Sequence, residues 1–499
     1  MSELLLGIDA GNTVVKAVLF DRGGHVQSKA SRDGRSSQPE PGQVERDIAE
    51  LWRNTAEVVA QCLAQAKARG GDIGAIGISG HGNGLYLLDR ENRPLLGIQS
   101  LDTRAADLAR ELAANAAARQ IYARSLQKPW PAQTATLLAW VKRNRPDLYR
   151  SIGTAFLCKD VLAFMLTGQR VTDFSDMSGC GLMRLPERRY DADLLAAYGL
   201  DDAMAFLPPP VASDQIAGRI SAEAAEVTGL AAGTPVAAGF FDIIASALGA
   251  GAAMPGQAAI VAGSWGINQI ILEQPLIDER IFHAATWRPD RYVAVESSAT
   301  SAVNLEWFAR EIMGGHDGPI FARCNELVAS VALQPDLPFF HPFLYGSATT
   351  ADARGAFLGL AGWHGKAHML HALYEGVVFE HRRHIDRLRA AGGSFDQATL
   401  SGGGSCSEVW CQMFADGIGV PVTVAECEET GALGAAIAAG VAGGEFESLE
   451  AGVAAMVRAK KSYAPRSVDR RLGLARYKLY LDLAEMLPRH WAAYRAEVM

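Results

Sequence analysis

The chain has 499 residues, more than one ordinary hydrophobic core holds, so its length predicts two or three domains. Hydrophobic residues make up 49% of the chain and charged residues 20%, which is the composition of a globular protein. The formal net charge of −8 gives no reason to expect nucleic acid or an anionic membrane as a partner.

The cysteines indicate a reducing compartment. Seven are present, an odd number, and no two are spaced as Cys-x-x-Cys, so neither a disulfide framework nor a zinc site is predicted. The apolar run at residues 4–8 is too short for a signal peptide or a membrane span. We therefore expect a cytoplasmic protein.

The N-terminal region has the pattern of a β-hairpin. Residues 4–8 form an apolar run that ends at a turn, and residues 14–20 form the second strand. A helix is predicted over residues 48–63, with Asp47 as its N-cap, because apolar residues recur there at helical spacing. Further strands are predicted at residues 73–79 and 85–88. Strands that alternate with helices indicate an α/β or α+β class.

The middle of the chain repeats the opening pattern. Residues 235–239 are predicted as a strand and residues 243–248 as a helix. A strand, a Gly/Ser turn and another strand then follow over residues 258–272, as they did at the N-terminus. This internal duplication predicts two similar domains, residues 1–240 and 241–499, that meet at a cleft. The amphipathic stretch 474–498 is predicted as a terminal helix, and the domain on which it packs is left open.

The turn after the first strand carries polar side chains suited to phosphate. Asp9 ends the strand, and Gly11, Asn12, Thr13 and Lys16 follow it. Backbone N–H groups, a hydroxyl and a lysine can cradle a polyphosphate, and Asp9 can hold Mg²⁺ through water. The alternative is an ordinary hairpin turn with a surface lysine.

A second acidic residue, Asp242, directly follows an apolar strand and opens a helix. A carboxylate there can act as a general base, and it can equally be a simple helix N-cap. Both interpretations stay open on the sequence alone.

Two further turns rich in small residues follow strands. Gly263 and Ser264 lie between two strands, where they can hold a phosphate or form an ordinary hairpin. Gly402, Gly403 and Gly404 lie between a strand and a helix, where the backbone can approach a nucleotide closely. The turn at residues 402–404 lacks the dinucleotide-binding pattern, and the turn at residues 9–16 lacks the P-loop pattern.

The order and spacing of these motifs resemble the FGGY carbohydrate kinases, a family with the actin/hexokinase-type fold. The shared pattern is Asp-x-Gly-x-Thr-x-x-Lys at residues 9–16, Gly-x-x-Asp at 239–242, Gly-Ser at 263–264 and Gly-Gly-Gly at 402–404. Further stretches that match the family's pattern lie at residues 44–52, 159–168, 305–307, 353–360, 374–376 and 429–436. The resemblance extends over nearly the whole chain.

The resemblance implies an α/β protein with two ribonuclease-H-like domains around a central cleft, which transfers the γ-phosphate of ATP to a sugar hydroxyl. It implies that the sugar binds mainly to the N-terminal domain and ATP to the C-terminal domain, with Mg²⁺ near Asp9. Asp242 is then the general base. The implied ATP ligands are Gly11, Asn12, Thr13, Lys16, Gly263, Ser264, Gly402, Gly403, Gly404 and Ser407, with Trp410 nearby.

The implied sugar loop, residues 79–85, departs from two branches of the family. It lacks the Arg-Glu pair of glycerol kinases and the Met-His pair of D-xylulose kinases, and it is more similar to the Gly-x-Gly form of L-xylulose-type and erythritol-type kinases. The expected sugar ligands are Asn83, Asp102 and Arg104. His81 is either a further ligand or a turn residue with a local hydrogen bond.

The expected substrate is a ketopentose such as xylulose. A tetritol or pentitol kinase of the erythritol type is the alternative, and a non-catalytic regulator that only binds sugar or nucleotide is a third hypothesis. The intact Asp242 argues against the regulator, which does not need a base. We expect a small sugar or polyol as partner, with no nucleic acid and no membrane, and a homodimer is left open.

Overall fold

The computed structural model describes residues 4–347, 353–467, 470–487, 490–491 and 493. Its strands are β1 (Leu4–Ala10), β2 (Val14–Asp21), β3 (Val26–Asp33), β4 (Ile73–Gly80), β5 (Leu85–Asp89), β6 (Pro94–Ile98), β7 (Ile152–Phe156), β8 (Thr172–Asp173), β9 (Met183–Arg184), β10 (Arg189–Tyr190), β11 (Pro210–Val211), β12 (Ile216–Arg219), β13 (Pro235–Ala237), β14 (Phe240–Phe241), β15 (Gln257–Ala262), β16 (Gly266–Leu272), β17 (His283–Arg288), β18 (Arg291–Ser298), β19 (Phe339–His341), β20 (Ala356–Leu358), β21 (Gln397–Ser401), β22 (Val422–Ala425) and β23 (Ala459–Tyr463).

Its α-helices are α1 (Ile48–Ala66), α2 (Ala106–Ala114), α3 (Ala117–Ser125), α4 (Thr134–Asn144), α5 (Pro146–Ser151), α6 (Cys158–Thr167), α7 (Phe174–Gly179), α8 (Ala192–Ala197), α9 (Ala222–Thr228), α10 (Asp242–Gly249), α11 (Val303–Phe308), α12 (Gly318–Ala329), α13 (Lys366–Ala390), α14 (Glu408–Ile418), α15 (Thr430–Ala442), α16 (Leu449–Met456) and α17 (Arg470–Met486). Strands and helices alternate along the chain, which confirms the predicted α/β class. No helix among the described residues is long and apolar enough to cross a membrane.

The chain divides into two compact units, and each unit is built from three separate segments of the chain. Unit 1 consists of Met1–Pro255, Ile271–Ala294 and Glu429–Arg458, and unit 2 consists of Gly256–Ile270, Val295–Glu428 and Ala459–Met499. The sequence placed a single boundary near residue 240. The difference arises because α15, far along the chain, packs on α10, β1 and β4 of unit 1. Its small residues permit this approach, since a Cβ on Gly434 would collide with the backbone of Ala245 in α10.

The sheet of unit 1 runs in the order β12-β13-β4-β1-β2-β3, and β14 pairs with the end of β4. The predicted hairpin is confirmed, because β1 and β2 pair antiparallel, and β4 lies parallel to β1 on its other side. The predicted N-cap is also confirmed, since the Asp47 carboxylate accepts a 2.8 Å hydrogen bond from the Ala49 N–H. Apolar residues of this sheet, α1 and α6 form a large buried core.

The sheet of unit 2 repeats this arrangement. It includes, in order, β18, β16, β15, β21, β22 and β23. As in unit 1, the first strand pairs antiparallel with the second strand of its hairpin, β16, and parallel with a later strand, β21. The repeated order supports the duplication inferred from the sequence.

The described terminal helix, α17, belongs to unit 2. The Arg476 guanidinium is buried and donates from Nη2 to Glu375 Oε2 of α13 at 2.6 Å, and it also donates to the Leu337 carbonyl at 2.9 Å. This buried pair fixes α17 on α13. Much of the predicted helical stretch beyond residue 487 lies outside the described residues.

Candidate active site

The carboxylate of Asp9 lies at the carboxyl end of the central strand of unit 1. The strand register places Asp9 opposite Lys16 on β2 and opposite Ser79 on β4. Ser79 Oγ donates a 2.8 Å hydrogen bond to Asp9 Oδ1. A Cβ on Gly431, at the start of α15, would come within 2.6 Å of Asp9 Oδ2, so only glycine leaves room for the carboxylate there.

Burial raises the pKa of the Asp9 carboxyl, and Glu429 adds a smaller upward contribution, while the Ser79 hydrogen bond and the Lys16 charge lower it in part. A partly desolvated carboxylate is a hard oxygen donor, which is the ligand type that Mg²⁺ prefers beside phosphate oxygens. The residues present therefore fit a magnesium ion at Asp9.

Lys16 is held by an acidic residue that the sequence did not single out as a site residue. Lys16 Nζ forms a 2.7 Å salt bridge with Glu429 Oε2, and Lys29 Nζ lies 3.2 Å from Glu429 Oε1. These charges lower the pKa of Glu429 against the opposing effect of burial. Glu429 thus orients the lysine that the sequence assigned to phosphate binding.

The turn between β1 and β2 is closed by backbone and side-chain hydrogen bonds. The Gly11 N–H donates to the Val14 carbonyl at 3.0 Å. The Asn12 side chain donates to Ser100 Oγ at 2.9 Å, and Gln99 donates to the Asn12 carbonyl. Thr13 is exposed at the tip of the turn. The turn is therefore held in one conformation by its own hydrogen bonds, with the Thr13 side chain exposed at its tip.

Asp242 is the first residue of α10, directly after β14. Phe241 occupies the N-cap position, so Asp242 is not the cap of this helix. Burial, together with the nearby negative charge of Asp9, raises the pKa of Asp242 to about 8, although the Ile243 N–H opposes this shift. Asp9 and Asp242 thus place two carboxyl groups near each other at one end of the sheet. When the environments of such a pair give the two groups different pKa values, one group can serve as an acid and the other as a base.

The loop 81–84 lies directly beside the Asp242 segment. Gly82 packs so tightly on the Phe241 ring that a Cβ would overlap it. Asn83 and Gly84 both have positive φ, at 61° and 74°, so the backbone turns sharply there. The Asn83 side chain is buried, and its Oδ1 has no hydrogen-bond partner among the described residues. An unpaired buried amide oxygen is costly unless a ligand hydroxyl donates to it.

His81 has a local role in this loop. The ring atom Nε2 lies 2.8 Å from the Tyr86 hydroxyl, and the backbone N–H of His81 donates to the Ala10 carbonyl at 3.0 Å. Burial, followed by the charge of Arg46, lowers the pKa of His81 to about 3, so the ring is neutral. Its Nδ1 is buried and unpaired among the described residues, which leaves one atom for a ligand.

Asp102 and Arg104 are engaged with each other. Asp102 accepts from the Val44 N–H at 2.6 Å and from Arg104 Nε at 3.0 Å, and Arg104 Nη2 donates to Glu45 Oε1 at 2.8 Å. The pair therefore ties residues 44–45 to the chain that follows β6. The hydrogen bonds show that both residues hold the framework, and the sugar contact expected from the sequence stays a prediction.

In unit 2 the two glycine-containing turns lie side by side because β15 and β21 are parallel neighbours. Val261 is in register with Ser401, so both strands end at one edge of the sheet. Gly402 has a φ of 82°, and a Cβ there would meet the Ala262 carbonyl at 2.9 Å. Gly403, by contrast, has no atom within 4 Å of its Cβ position. This turn therefore presents open backbone that a ligand can approach.

A buried hydrogen-bond network supports the Gly263–Gly266 turn from below. His381 Nδ1 lies 2.8 Å from Asn268 Oδ1, and His381 Nε2 lies 2.8 Å from Ser301 Oγ. The next residue, Ala302, donates its N–H to the Gly263 carbonyl at 2.8 Å. A Cβ on Gly266 would press on the His381 ring at 3.1 Å.

The network has a defined direction. Asn268 Nδ2 lies 3.0 Å from His384 Nδ1, and His384 Nε2 lies 3.2 Å from Ser298 Oγ. With Asn268 Oδ1 accepting from His381, its amide group donates to His384, so each ring has one donor and one acceptor nitrogen. Burial lowers the pKa of His381 to about 3, and the pKa of His384 is also lowered by burial, so both rings are neutral. No pattern in the sequence indicated this network.

Two residues that the sequence placed near ATP are part of the unit 2 framework. The Ser407 hydroxyl caps α14 by accepting from the Trp410 N–H at 3.2 Å, and it also donates to Asn325 Oδ1 at 2.7 Å. Trp410 is buried and stacks on Tyr374 with ring centroids 4.2 Å apart. Both residues position the helix that follows the glycine turn.

Comparison with known proteins gives this fold and site a class. The N-terminal domain model of the FGGY family of carbohydrate kinases matches residues 4–249, and the C-terminal domain model matches residues 258–443. The fold is thus the two-domain actin/hexokinase type. The chain belongs to the FGGY family and is a carbohydrate kinase.

Individual relatives cover nearly the whole chain. It is 33% identical over 496 residues to the L-xylulose/3-keto-L-gulonate kinase of Escherichia coli, and the alignment covers 98% of each chain. It is 36% identical over 442 residues to a Pasteurella multocida protein named "Probable L-xylulose kinase", with 87% of this chain and 89% of that protein covered. The crystal structure of xylulose kinase from Rhodospirillum rubrum superposes with a TM-score of 0.90 at 28% identity, covering 98% of this chain and 100% of that one.

Proposed function

We propose that this carbohydrate kinase transfers the γ-phosphoryl group of ATP to a hydroxyl of a ketopentose such as xylulose, with Asp242 as the general base. The observation that carries the proposal is the Asp242 carboxyl group, which opens α10 beside Asp9 and has its pKa raised to about 8. A general base works best when its pKa lies near the working pH, because it must both accept and release the proton.

The reaction needs little covalent chemistry from the protein. The acceptor oxygen attacks the γ-phosphorus, the bond to the β-phosphate oxygen breaks, ADP leaves, and the hydroxyl proton passes to Asp242. The side chains therefore contribute mainly by positioning the reactants and by offsetting charge. The neutral ring of His81 and the unpaired Oδ1 of Asn83 suit hydrogen bonds with acceptor hydroxyls.

The residues proposed for the nucleotide lie in the turns that follow β1, β15 and β21. The turn 11–13 and Lys16 would contact phosphate oxygens, as would Gly263 and Ser264, while Gly402–Gly404 would border adenosine. Mg²⁺ would be held through water by Asp9, where it supplies positive charge against the phosphates.

The choice of ketopentose draws on the relatives, whose names give L-xylulose, 3-keto-L-gulonate and xylulose as substrates. The loop 81–84 supports a small acceptor, because Gly82 and the Phe241 ring are in direct contact and leave little room. We also infer a cytoplasmic location, which the free cysteines support.

A coupled ADP-release screen over three- to six-carbon sugars and polyols tests the proposal, with Asp242→Asn as the matched control. We expect Mg²⁺-dependent turnover that is highest with a ketopentose and lost in the variant. A tetritol or pentitol as the best acceptor would identify the erythritol-type activity instead. Absence of stimulated ADP release across the whole panel would overturn the proposed activity.

A further inference from the structure

Asp176, in the short helix α7 of unit 1, is a buried acid whose carboxyl oxygens have no partner within the described part of the chain. The residue is 1% exposed, and neither Oδ1 nor Oδ2 takes part in a hydrogen bond there. Its backbone N–H donates to Asp173 Oδ1 at 3.2 Å, which fixes the position of the residue in the helix. Because a buried carboxyl group without hydrogen bonds is costly, its presence points to a ligand that pairs with it.

The other two acids of this buried cluster are paired, which sets Asp176 apart. Lys159 Nζ forms ion pairs with Asp160 and, at 2.7 Å, with Asp173 Oδ1. Asp160 Oδ2 also accepts from Thr172 Oγ1 at 2.7 Å. The charge of Lys159 acts on Asp176 as well, but the two side chains share no hydrogen bond. These contacts hold the cluster together without the carboxyl oxygens of Asp176.

The helix α7 packs on the segment that carries Asp242. The Phe241 N–H, one residue before Asp242, donates to Ser175 Oγ at 3.0 Å, and Ser175 immediately precedes Asp176. The loop 81–84 packs on the ring of the same Phe241. The charge of Asp242 also acts on the Asp176 carboxyl group. Asp176 therefore borders the proposed acceptor site, on the side of the Asp242 segment.

The surroundings of Asp176 favour the protonated form of its carboxyl group. Burial raises its pKa well above the ordinary value, the charge of Lys159 opposes this shift, and the neighbouring carboxyl groups, including that of Asp242, add to it. A protonated carboxyl group has one hydrogen-bond donor and one acceptor side by side. A ketone next to a hydroxyl group presents the complementary acceptor and donor. A ketose can therefore pair with both oxygens of Asp176 at once.

We propose that Asp176 is an acceptor-binding residue that selects ketoses over polyols, because one of its oxygens donates to the ketone oxygen of the acceptor and the other accepts from the adjacent hydroxyl group. The inference deepens the proposed function and rests on it, since it takes Asp242 to mark the hydroxyl that is phosphorylated. In a polyol the ketone is replaced by a hydroxyl group on a tetrahedral carbon, so the planar pair of hydrogen bonds is lost.

The test compares kcat/KM for xylulose with that for xylitol, in which a hydroxyl group replaces the ketone at C2. The parent enzyme should favour xylulose about tenfold or more, and Asp176→Leu should reduce this preference to within about threefold. The melting temperature of Asp176→Leu should stay the same or rise, because the substitution removes an unpaired buried polar group. The smaller Asp176→Ala carries the same kinetic expectation if leucine does not fit. Asp176→Asn should keep the preference, since an amide also places a donor beside an acceptor.

Asp160→Asn is the matched control, because Asp160 is an acid of the same cluster whose oxygens are engaged by Lys159 and Thr172. It should lower the melting temperature and leave the preference for xylulose unchanged. If the leucine and alanine variants keep that preference, or if Asp176→Asn loses it as fully as Asp176→Leu, Asp176 does not bind the acceptor. A parent enzyme that uses xylitol as well as xylulose would overturn this inference and leave the proposed function standing. If neither compound stimulates ADP release, both proposals fall.

Discussion

The candidate site residues of the two units differ in the kind of group that they offer to a ligand. In unit 1 the candidate site consists of side chains, namely the neighbouring carboxyl groups of Asp9 and Asp242 with perturbed pKa values and the lysine held by Glu429. In unit 2 the site consists of open backbone at two adjacent turns, one of which is supported by neutral buried histidines. The contrast predicts that substitution of the Asp242 carboxyl group should mainly change turnover, while substitutions at the two turns of unit 2 should mainly change nucleotide affinity.

The largest expected effect follows from Asp242→Asn. The amide keeps the shape of the side chain but cannot accept the proton, so kcat should fall by about 10²–10⁴-fold. Binding of sugar and ATP should change little, because the lost interaction acts in the transition state. Steady-state kinetics combined with titration calorimetry check both statements. A kcat within about threefold of the parent would mean that Asp242 is structural.

The same substitution should stabilise the fold at neutral and alkaline pH. The folded pKa of Asp242, about 8, lies above the unfolded value of 3.8, so the protonated carboxyl contributes stability below pH 4 that is lost as the pH rises towards 8. Asparagine does not ionise, so the variant should gain roughly 2 kcal/mol over the parent by pH 8, after a discount for solvent screening. Urea unfolding at pH 4 and pH 8 gives the difference. A constant offset between the two pH values would rule out a raised pKa.

A smaller effect is expected when the network beneath the unit 2 turn is cut. His381→Phe leaves Asn268 Oδ1 and Ser301 Oγ without their partner and frees the turn to shift, so KM for ATP should rise about tenfold while sugar affinity stays constant. His341→Phe is the control, since this buried histidine makes a 3.3 Å hydrogen bond to the Tyr480 carbonyl away from the turn. Equal changes in both variants would reduce the network to a general contribution to stability.

The smallest effect should come from Gly403→Ala. The new Cβ meets no protein atom within 4 Å, so the melting temperature should be unchanged, while a nucleotide that approaches the backbone there would bind about threefold to tenfold more weakly. Gly402→Ala provides the contrast, because its φ of 82° and the nearby Ala262 carbonyl predict a loss of stability. An unchanged KM for ATP in Gly403→Ala would show that adenosine does not bind beside Gly403.

Local sequence patterns were enough to predict many of the strands and helices and part of the candidate site. The alternation of strands and turns predicted the hairpin that aligns Asp9 with Lys16, because antiparallel register fixes which residues face each other. The same reasoning located Asp242 at the junction of a strand and a helix. These features depend on residues close together in the chain, which is where sequence patterns are informative.

Contacts between residues far apart in the chain could not be predicted from local sequence patterns. Glu429 lies 413 positions from Lys16, and nothing in its local sequence indicates that ion pair. The histidines of α13 are spaced like ordinary core residues of a helix, so their link to Asn268 emerges only from tertiary packing. Asp102 is predicted as a sugar ligand because Asp102 and Arg104 are retained from the family's pattern, and its hydrogen bonds with Val44 and Arg104 likewise emerge only from the tertiary structure.

The pH dependence of kcat/KM for the acceptor tests most directly the claim that Asp242 is the base. In the parent enzyme kcat/KM should fall about tenfold for each pH unit below 8, because only the ionised carboxylate accepts the proton and its pKa is raised to about 8. The residual activity of Asp242→Asn should show no such acidic limb. A parent profile that is flat between pH 6 and 9, or an acidic limb that persists unchanged in Asp242→Asn, would contradict the account.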